Sequence, residues 1–93
     1  VNSAWQIEYA VNARKFLKKV DKAVSSRILQ WLNDRILSNN ADPYSWGAKL
    51  KGDKLGDLWR YRVGDYRVLC KIYDHKLLIL VVEIGHRKEV YKK

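Results

Sequence analysis

Leu58-Trp59-Arg60-Tyr61-Arg62-Val63-Gly64-Asp65-Tyr66-Arg67-Val68-Leu69-Cys70-Lys71-Ile72 decides the reading of this chain. Two runs rich in aromatic and β-branched residues flank Gly64-Asp65, a break short enough for a two-residue turn, so the spacing predicts a β-hairpin. That turn places Val63 opposite Tyr66, Arg62 opposite Arg67, Tyr61 opposite Val68, Arg60 opposite Leu69, Trp59 opposite Cys70 and Leu58 opposite Lys71. Strand side chains alternate, so two faces separate. Trp59, Tyr61, Val63, Tyr66, Val68, Cys70 and Ile72 form a core face. Leu58, Arg60, Arg62, Arg67, Leu69 and Lys71 form a basic one.

Residues 4–9 alternate around Trp5, Ile7 and Tyr9 and predict a half-buried strand. A helix is expected from about Ala10 to Lys19, with Ala13, Phe16, Leu17 and Val20 on one side. Asp21 can cap a second helix running to about Ser38, whose stripe comprises Val24, Ile28, Trp31, Leu32 and Leu37, with Leu29 and Ile36 beside it. Asn39 to Gly47 reads as loop. Asp74-His75 is a second two-residue break, followed by a strand from Lys76 to Ile84. The order is β-α-α-β-β-β, an α+β fold: a small, mostly antiparallel sheet with a helical hairpin packed on one face, as one domain over residues 1–93. The run Leu77 to Val82 is apolar throughout, which predicts cover on both faces. The C-terminal segment or a partner would then hide part of the basic face. His86 to Lys93 reads as a tail or a final helical turn.

Nineteen Lys and Arg against ten Asp and Glu give a net charge of +9. Such an excess on a small body attracts polyanions, nucleic acid first, an acidic protein second and an anionic membrane surface third. No secretory h-region and no spanning apolar run are visible, so no membrane role and a cytoplasmic location are expected. The single cysteine, Cys70, excludes an internal disulfide and reads as a small buried hydrophobe. Two distant histidines and one cysteine offer no metal-ligating spacing.

Arg62 and Arg67 directly opposite each other repel by about 0.2–1 kcal/mol. Exposed arginines can spread into water; alternatively, two planar guanidinium forks converge on one phosphate. Arg60 and Arg87 add to that charge. His86 has an unperturbed pKa suited to proton transfer near neutrality. It is either a proton carrier or an exposed strand-end residue. Lys49, Lys51 and Lys54 precede the hairpin and are RNA-docking charges or an ordinary solvated loop. Arg62 and Lys71 are further RNA-binding candidates. Trp46 and Trp59 could stack on bases, although alternation assigns Trp59 to the core.

Three segments carry a resemblance: Lys49-Leu50-Lys51-Gly52, then Leu58 to Leu69, then Val82-Glu83-Ile84-Gly85-His86-Arg87-Lys88-Glu89-Val90-Tyr91. Together they resemble the RelE/ParE superfamily of toxins, and the last segment resembles the RelE branch. The resemblance implies a toxin of a type II toxin–antitoxin system. It implies a ribosome-dependent endoribonuclease that cleaves mRNA in the A site with neither metal nor cofactor. The ribose 2′-oxygen attacks the adjacent phosphate, leaving a 2′,3′-cyclic phosphate and a 5′-hydroxyl. Arg67 falls on the family's central arginine and would neutralise the phosphorane. Arg87 falls on the arginine after the last strand, and Tyr91 on the C-terminal tyrosine that stacks on a base or helps position the nucleophile. Arg60, Arg67, His86, Arg87 and Tyr91 are thus the expected catalytic set, with the proton assigned to His86 or Tyr91. Leu58 and Arg60 stand where well-characterised members carry lysines. Leu58 has no acid–base chemistry and Arg60 stays protonated. A ParE-like toxin that binds DNA gyrase without cutting RNA is the alternative. Implied partners are an acidic RelB-like antitoxin, the ribosome and mRNA, and operator DNA reached through the toxin–antitoxin complex. The antitoxin would lie over the helical hairpin and extend to the basic face.

Overall fold

At Gly64 the backbone adopts φ 60°, a left-handed conformation that side chains disfavour, and the chain reverses there. The computed structural model describes residues 4–37, 42–50 and 58–91. Strands β3 (Trp59–Val63) and β4 (Tyr66–Tyr73) flank the turn. Their pairs are Trp59 with Cys70, Arg60 with Leu69, Tyr61 with Val68, Arg62 with Arg67 and Val63 with Tyr66. Five of the six pairs predicted from a two-residue loop are formed, and the segregation of faces follows from them; Leu58, predicted opposite Lys71, precedes β3.

Around this hairpin stand β1 (Gln6–Tyr9), α1 (Val11–Lys19), α2 (Lys22–Ile36), β2 (Gly47–Lys49) and β5 (Leu78–His86). The sheet order is β1-β5-β4-β3-β2, with β1 parallel to β5 and the other pairs antiparallel. Both helices pack on one face, as expected. Ala13 from α1 and Ile28, Leu32 and Ile36 from α2 meet Tyr61, Val63, Val68, Cys70, Ile79, Val81 and Ile84, and Phe16, Leu17, Val24 and Trp31 pack at the margin. Each fully buried Leu, Ile or Val contributes about 1.5–3 kcal/mol by leaving water. Among the described residues no helix is long and apolar enough to cross a membrane.

Three expectations need correction. The loop expected over Asn39 to Gly47 contains a 3₁₀ turn (Pro43–Trp46) and leads into strand β2. Gly-Ala-Lys has no strand preference of its own. It pairs because Gly47 lets the chain press against β3: a Cβ there would collide with the Arg60 carbonyl and lie 2.8 Å from the Tyr61 ring. The second hairpin is not a two-residue turn. Asp74–Lys76 form a 3₁₀ turn closed by Leu77 at φ 49°, so β5 starts at Leu78 and extends through His86. Asp21 occupies the position before α2, yet its carboxylate makes no cap; its backbone carbonyl accepts from Val24 and Ser25. Of the two readings of the C-terminal segment, tail or final turn, the turn is the one formed over residues 87–91. The amides of Glu89 and Val90 donate to the His86 carbonyl at 2.8 and 2.9 Å, folding a turn back onto the sheet.

Cys70 is fully buried, and that burial pushes its thiol up to about 12. A group so raised stays protonated from neutral to mildly alkaline pH. A thiolate-selective alkylating reagent at pH 8 should label the native chain at least about 100-fold more slowly than the urea-unfolded chain. Equal rates, read by mass spectrometry, would contradict this burial.

Candidate active site

The arginine side of the hairpin is assembled by register. Arg60, Arg62 and Arg67 occupy alternate positions on two paired strands, and Gly85 of β5 pairs with Arg67 on the other side. Having no side chain, Gly85 makes room for Val90, whose Cβ would stand 3.1 Å from a Cβ added at 85. Val90 and Leu69 are buried outside the main core cluster. The C-terminal turn therefore covers part of the basic face, as the apolar run of β5 required, and carries Arg87 and Tyr91 to its rim.

The β3–β4 turn holds two of these arginines. Arg67 Nη1 donates to the carbonyls of Gly64 and Tyr66, both at 2.9 Å. The Arg87 amide donates to the Asp65 carbonyl at 2.8 Å, and its Nε lies 3.6 Å from the Asp65 carboxylate. That ion pair is exposed on both sides, so its value lies in orientation more than in stability. Partial burial pushes the Arg67 guanidinium below its ordinary value; Arg62, Arg60 and Arg87 push the same way, and Tyr91 opposes them. Five predicted residues, Arg60, Arg62, Arg67, Arg87 and Tyr91, thus share one electrostatic neighbourhood. Guanidinium groups remain charged despite such shifts, so the site is a concentrated positive field suited to a phosphate. The buried Arg60 Nε has no hydrogen-bond partner among the described residues.

Other candidates lie elsewhere. His86 pairs with Tyr66 across β4–β5 and sets its ring edge-on to that tyrosine, on the side of the sheet that carries the helices. Its Nδ1 accepts the Lys88 amide at 3.2 Å. The structure therefore binds His86 into the C-terminal turn and does not bring it to Arg67. Lys71 is four residues along β4, about 13 Å from Arg67 at strand rise. Lys49 pairs with Trp59, not with an arginine, and is exposed at the sheet edge. Lys51 and Lys54 lie outside the described residues. Trp59 packs against the core and meets Tyr44 edge-on at 5.0 Å, whereas Trp46 is 47% exposed, with Arg35 between it and Trp31. Glu83 accepts from Asn12 Nδ2 at 3.2 Å. Among the described residues no three His, Cys, Asp or Glu side chains cluster to hold a metal.

A sequence model of the ParE toxins of type II toxin–antitoxin systems matches residues 7–91, nearly the whole chain. The chain belongs to this toxin family. Its wider group is the RelE/ParE superfamily. A RelE-like toxin protein of Escherichia coli is 29% identical over 84 residues, covering 90% of this chain and 84% of that protein. Solved structures share the fold. The toxin–antitoxin complex RelBE from Mycobacterium tuberculosis superposes with a TM-score of 0.77 at 21% identity, covering 91% of this chain and 93% of that one. An archaeal RelE–RelB complex from Pyrococcus horikoshii gives 0.70 at 24% identity, covering 95% and 100%. The two helices on a five-stranded mixed sheet are the RelE architecture. The parallel β1–β5 pair qualifies the expected mostly antiparallel sheet without changing its class.

Among the residues that sequence reasoning missed, Arg27 stands out. It comes from α2 and packs against Gly64. No spacing within α2 signals this, because the contact exists only once helix and hairpin are packed.

Proposed function

We propose that this toxin-family chain is an endoribonuclease that cuts mRNA in the ribosomal A site. The observation that supports this is that Arg62, Arg60 and Arg87, with Tyr91, all act electrostatically on Arg67, which Arg62 faces across the hairpin. In-line transfer needs charge stabilisation at phosphorus, a proton acceptor and a proton donor. Arg67, fixed by two carbonyls, stands to neutralise the phosphorane. Arg62 and Arg60 flank it, and Arg87 reaches the leaving oxygen. The 2′-oxygen bonds to phosphorus as its proton passes to water through the Tyr91 hydroxyl, which hands on its own proton as it accepts one; the bond to the 5′-oxygen breaks, and that oxygen takes up a proton from water. The products are a 2′,3′-cyclic phosphate and a 5′-hydroxyl. No cofactor enters this scheme.

An antitoxin partner is what the toxin family implies, and charge makes it reasonable. A +9 surface is masked by an acidic, amphipathic, partly disordered chain. An antitoxin of that kind, lying over the helical hairpin and reaching the arginine side, would regulate the enzyme in the cytoplasm. Operator DNA would be met through the complex.

Purified chain added to programmed ribosomes tests the activity; mRNA cut in the A site is the expected result. A second reading has specific support. The family model is that of ParE toxins, and Leu58 and Arg60 occupy the strand positions where the RelE resemblance calls for lysines. On that reading the chain acts on DNA gyrase, and intact mRNA with stabilised gyrase–DNA breaks would replace the nuclease proposal.

His86 is bound into the C-terminal turn beside Tyr66, whereas Tyr91 acts on the Arg67 guanidinium, and this separates their expected roles. Tyr91→Phe should lower the cleavage rate by about 100-fold or more, the lower end of what a positioned proton-transfer group supplies. His86→Gln should leave the shape of the activity–pH profile unchanged. A lost limb in the His86→Gln profile would return the proton to the histidine.

A further inference from the structure

Arg27 projects from the exposed side of α2. Its guanidinium covers Gly64: a Cβ built there would lie 2.6 Å from Nη2, 3.0 Å from Cζ and 3.1 Å from Nη1. A residue without a side chain is what leaves that space. On the same glycine, the carbonyl oxygen accepts Arg67 Nη1 at 2.9 Å. One turn residue thus separates two guanidinium groups. Adding the roughly 3 Å between the oxygen and Cβ positions of one residue places the two nitrogens no more than about 9 Å apart.

Arg27 differs from the other arginines in two respects. It comes from α2 and not from the sheet, so it stands across the turn from Arg67. No carboxylate of the described residues pairs with it, while the nearby Asp65 is engaged by Arg87. A further unpaired cation beside a cluster of like charge is unfavourable until an anion bridges them. A single phosphate would engage Arg67 and its cross-strand partner Arg62. A polymer with regularly spaced phosphates satisfies Arg27 as well, since a stacked strand advances about 3.4 Å per nucleotide.

We infer that Arg27 binds a second phosphate of the same RNA strand, a few nucleotides from the phosphodiester at Arg67, and that the strand crosses the Gly64-Asp65 turn toward α2. This rests on the RNA reading of the arginine side. The contact is to backbone, so it fixes the register of the strand without selecting a base. A guanidinium suits it, because its fork takes two phosphate oxygens together.

The test compares the parent, Arg27→Gln and Arg27→Lys in binding two uncleavable probes across a range of salt. One probe is a short 2′-O-methyl RNA oligonucleotide; the other is the matching dinucleotide with a single phosphate. Arg27→Gln should weaken oligonucleotide binding about 3- to 10-fold and lower the slope of log affinity against log salt by about 0.7, the value for one lost phosphate contact on a single strand. Arg27→Lys should keep most of the slope. Dinucleotide binding should be unchanged, which a general structural defect would not allow. An unaltered oligonucleotide slope in Arg27→Gln overturns the inference. Equal weakening on both probes overturns it too, by placing Arg27 within a single-phosphate site, and so does a parent that binds no oligonucleotide. Failure of the parent to cut mRNA on ribosomes is a separate result and counts against the functional reading.

Discussion

Replacing Arg67 with alanine should reduce mRNA cleavage on programmed ribosomes by about 100- to 1,000-fold, the loss seen when one preorganised stabiliser of transition-state charge is removed. Arg67 is the most constrained cation of the site. Its Nη1 is shared between the Gly64 and Tyr66 carbonyls, so it is in position before substrate arrives. It also lies in the combined field of Arg62, Arg60 and Arg87. Removing it takes away a charge that is already oriented and partly desolvated. Lysine at this position should recover little, because a point charge cannot hold the two carbonyls and present a planar fork together. The fold should survive, since relieving the like-charge pair with Arg62 restores about 0.2–1 kcal/mol. Mapping cut ends on ribosomes, with circular dichroism as the control for folding, reads both effects. Cleavage within a few-fold of the parent would show that another group carries the phosphorane charge.

Tyr61→Ala should destabilise the chain by about 3–5 kcal/mol, the range for truncating a buried aromatic residue. Domains of this kind have about 5–15 kcal/mol in all, so the variant should be marginal at growth temperature. Tyr61 is fully buried at the centre of β3, tilted against Trp31 of α2 at 5.4 Å. Its hydroxyl donates to the Pro43 carbonyl at 2.7 Å, tying the 3₁₀ turn to the sheet. Burial raises its pKa well above that of a free tyrosine, with smaller contributions from Cys70, Tyr44 and Asp42, so the hydroxyl stays a donor at every ordinary pH. Tyr61→Phe keeps the ring and should cost about 1–3 kcal/mol, the penalty for leaving a buried carbonyl without a partner. Urea denaturation separates the two components. Equal losses for Phe and Ala would assign the effect to the hydrogen bond alone.

The fold was legible where local pattern and tertiary role agree. A glycine turn with strict alternation on both sides leaves little freedom in register, and Arg62 facing Arg67 follows directly. Helix α2 was legible because Ile28 and Leu32 recur at helical spacing on one face, although the third buried residue is Ile36 and Leu37, placed in the stripe, is exposed. Strand β2 was not, because Gly47–Lys49 owes its extended form to pairing with β3 and has no propensity to announce it. Asp74-His75 misled because a short polar break does not reveal that Leu77 will adopt a left-handed backbone and close a longer turn.

The candidate site divides along the same line. Alternation set Arg60, Arg62 and Arg67 on one side of the sheet, and chain order put Arg87 and Tyr91 close behind the last strand. The side taken by His86 depended on β5. The register shift opposite Leu69 and Cys70 leaves Val82 without a partner, and beyond it Gly85 pairs with Arg67 and His86 with Tyr66. The sequence alone therefore determined the hairpin, its two faces and the charge one of them carries, because these depend on neighbours a few residues apart. Tertiary structure decided which face His86 joins, how the C-terminal turn closes over Gly85, and that Arg27 reaches the β3–β4 turn. Each of those is a contact between segments distant in the chain, and no local preference encodes it.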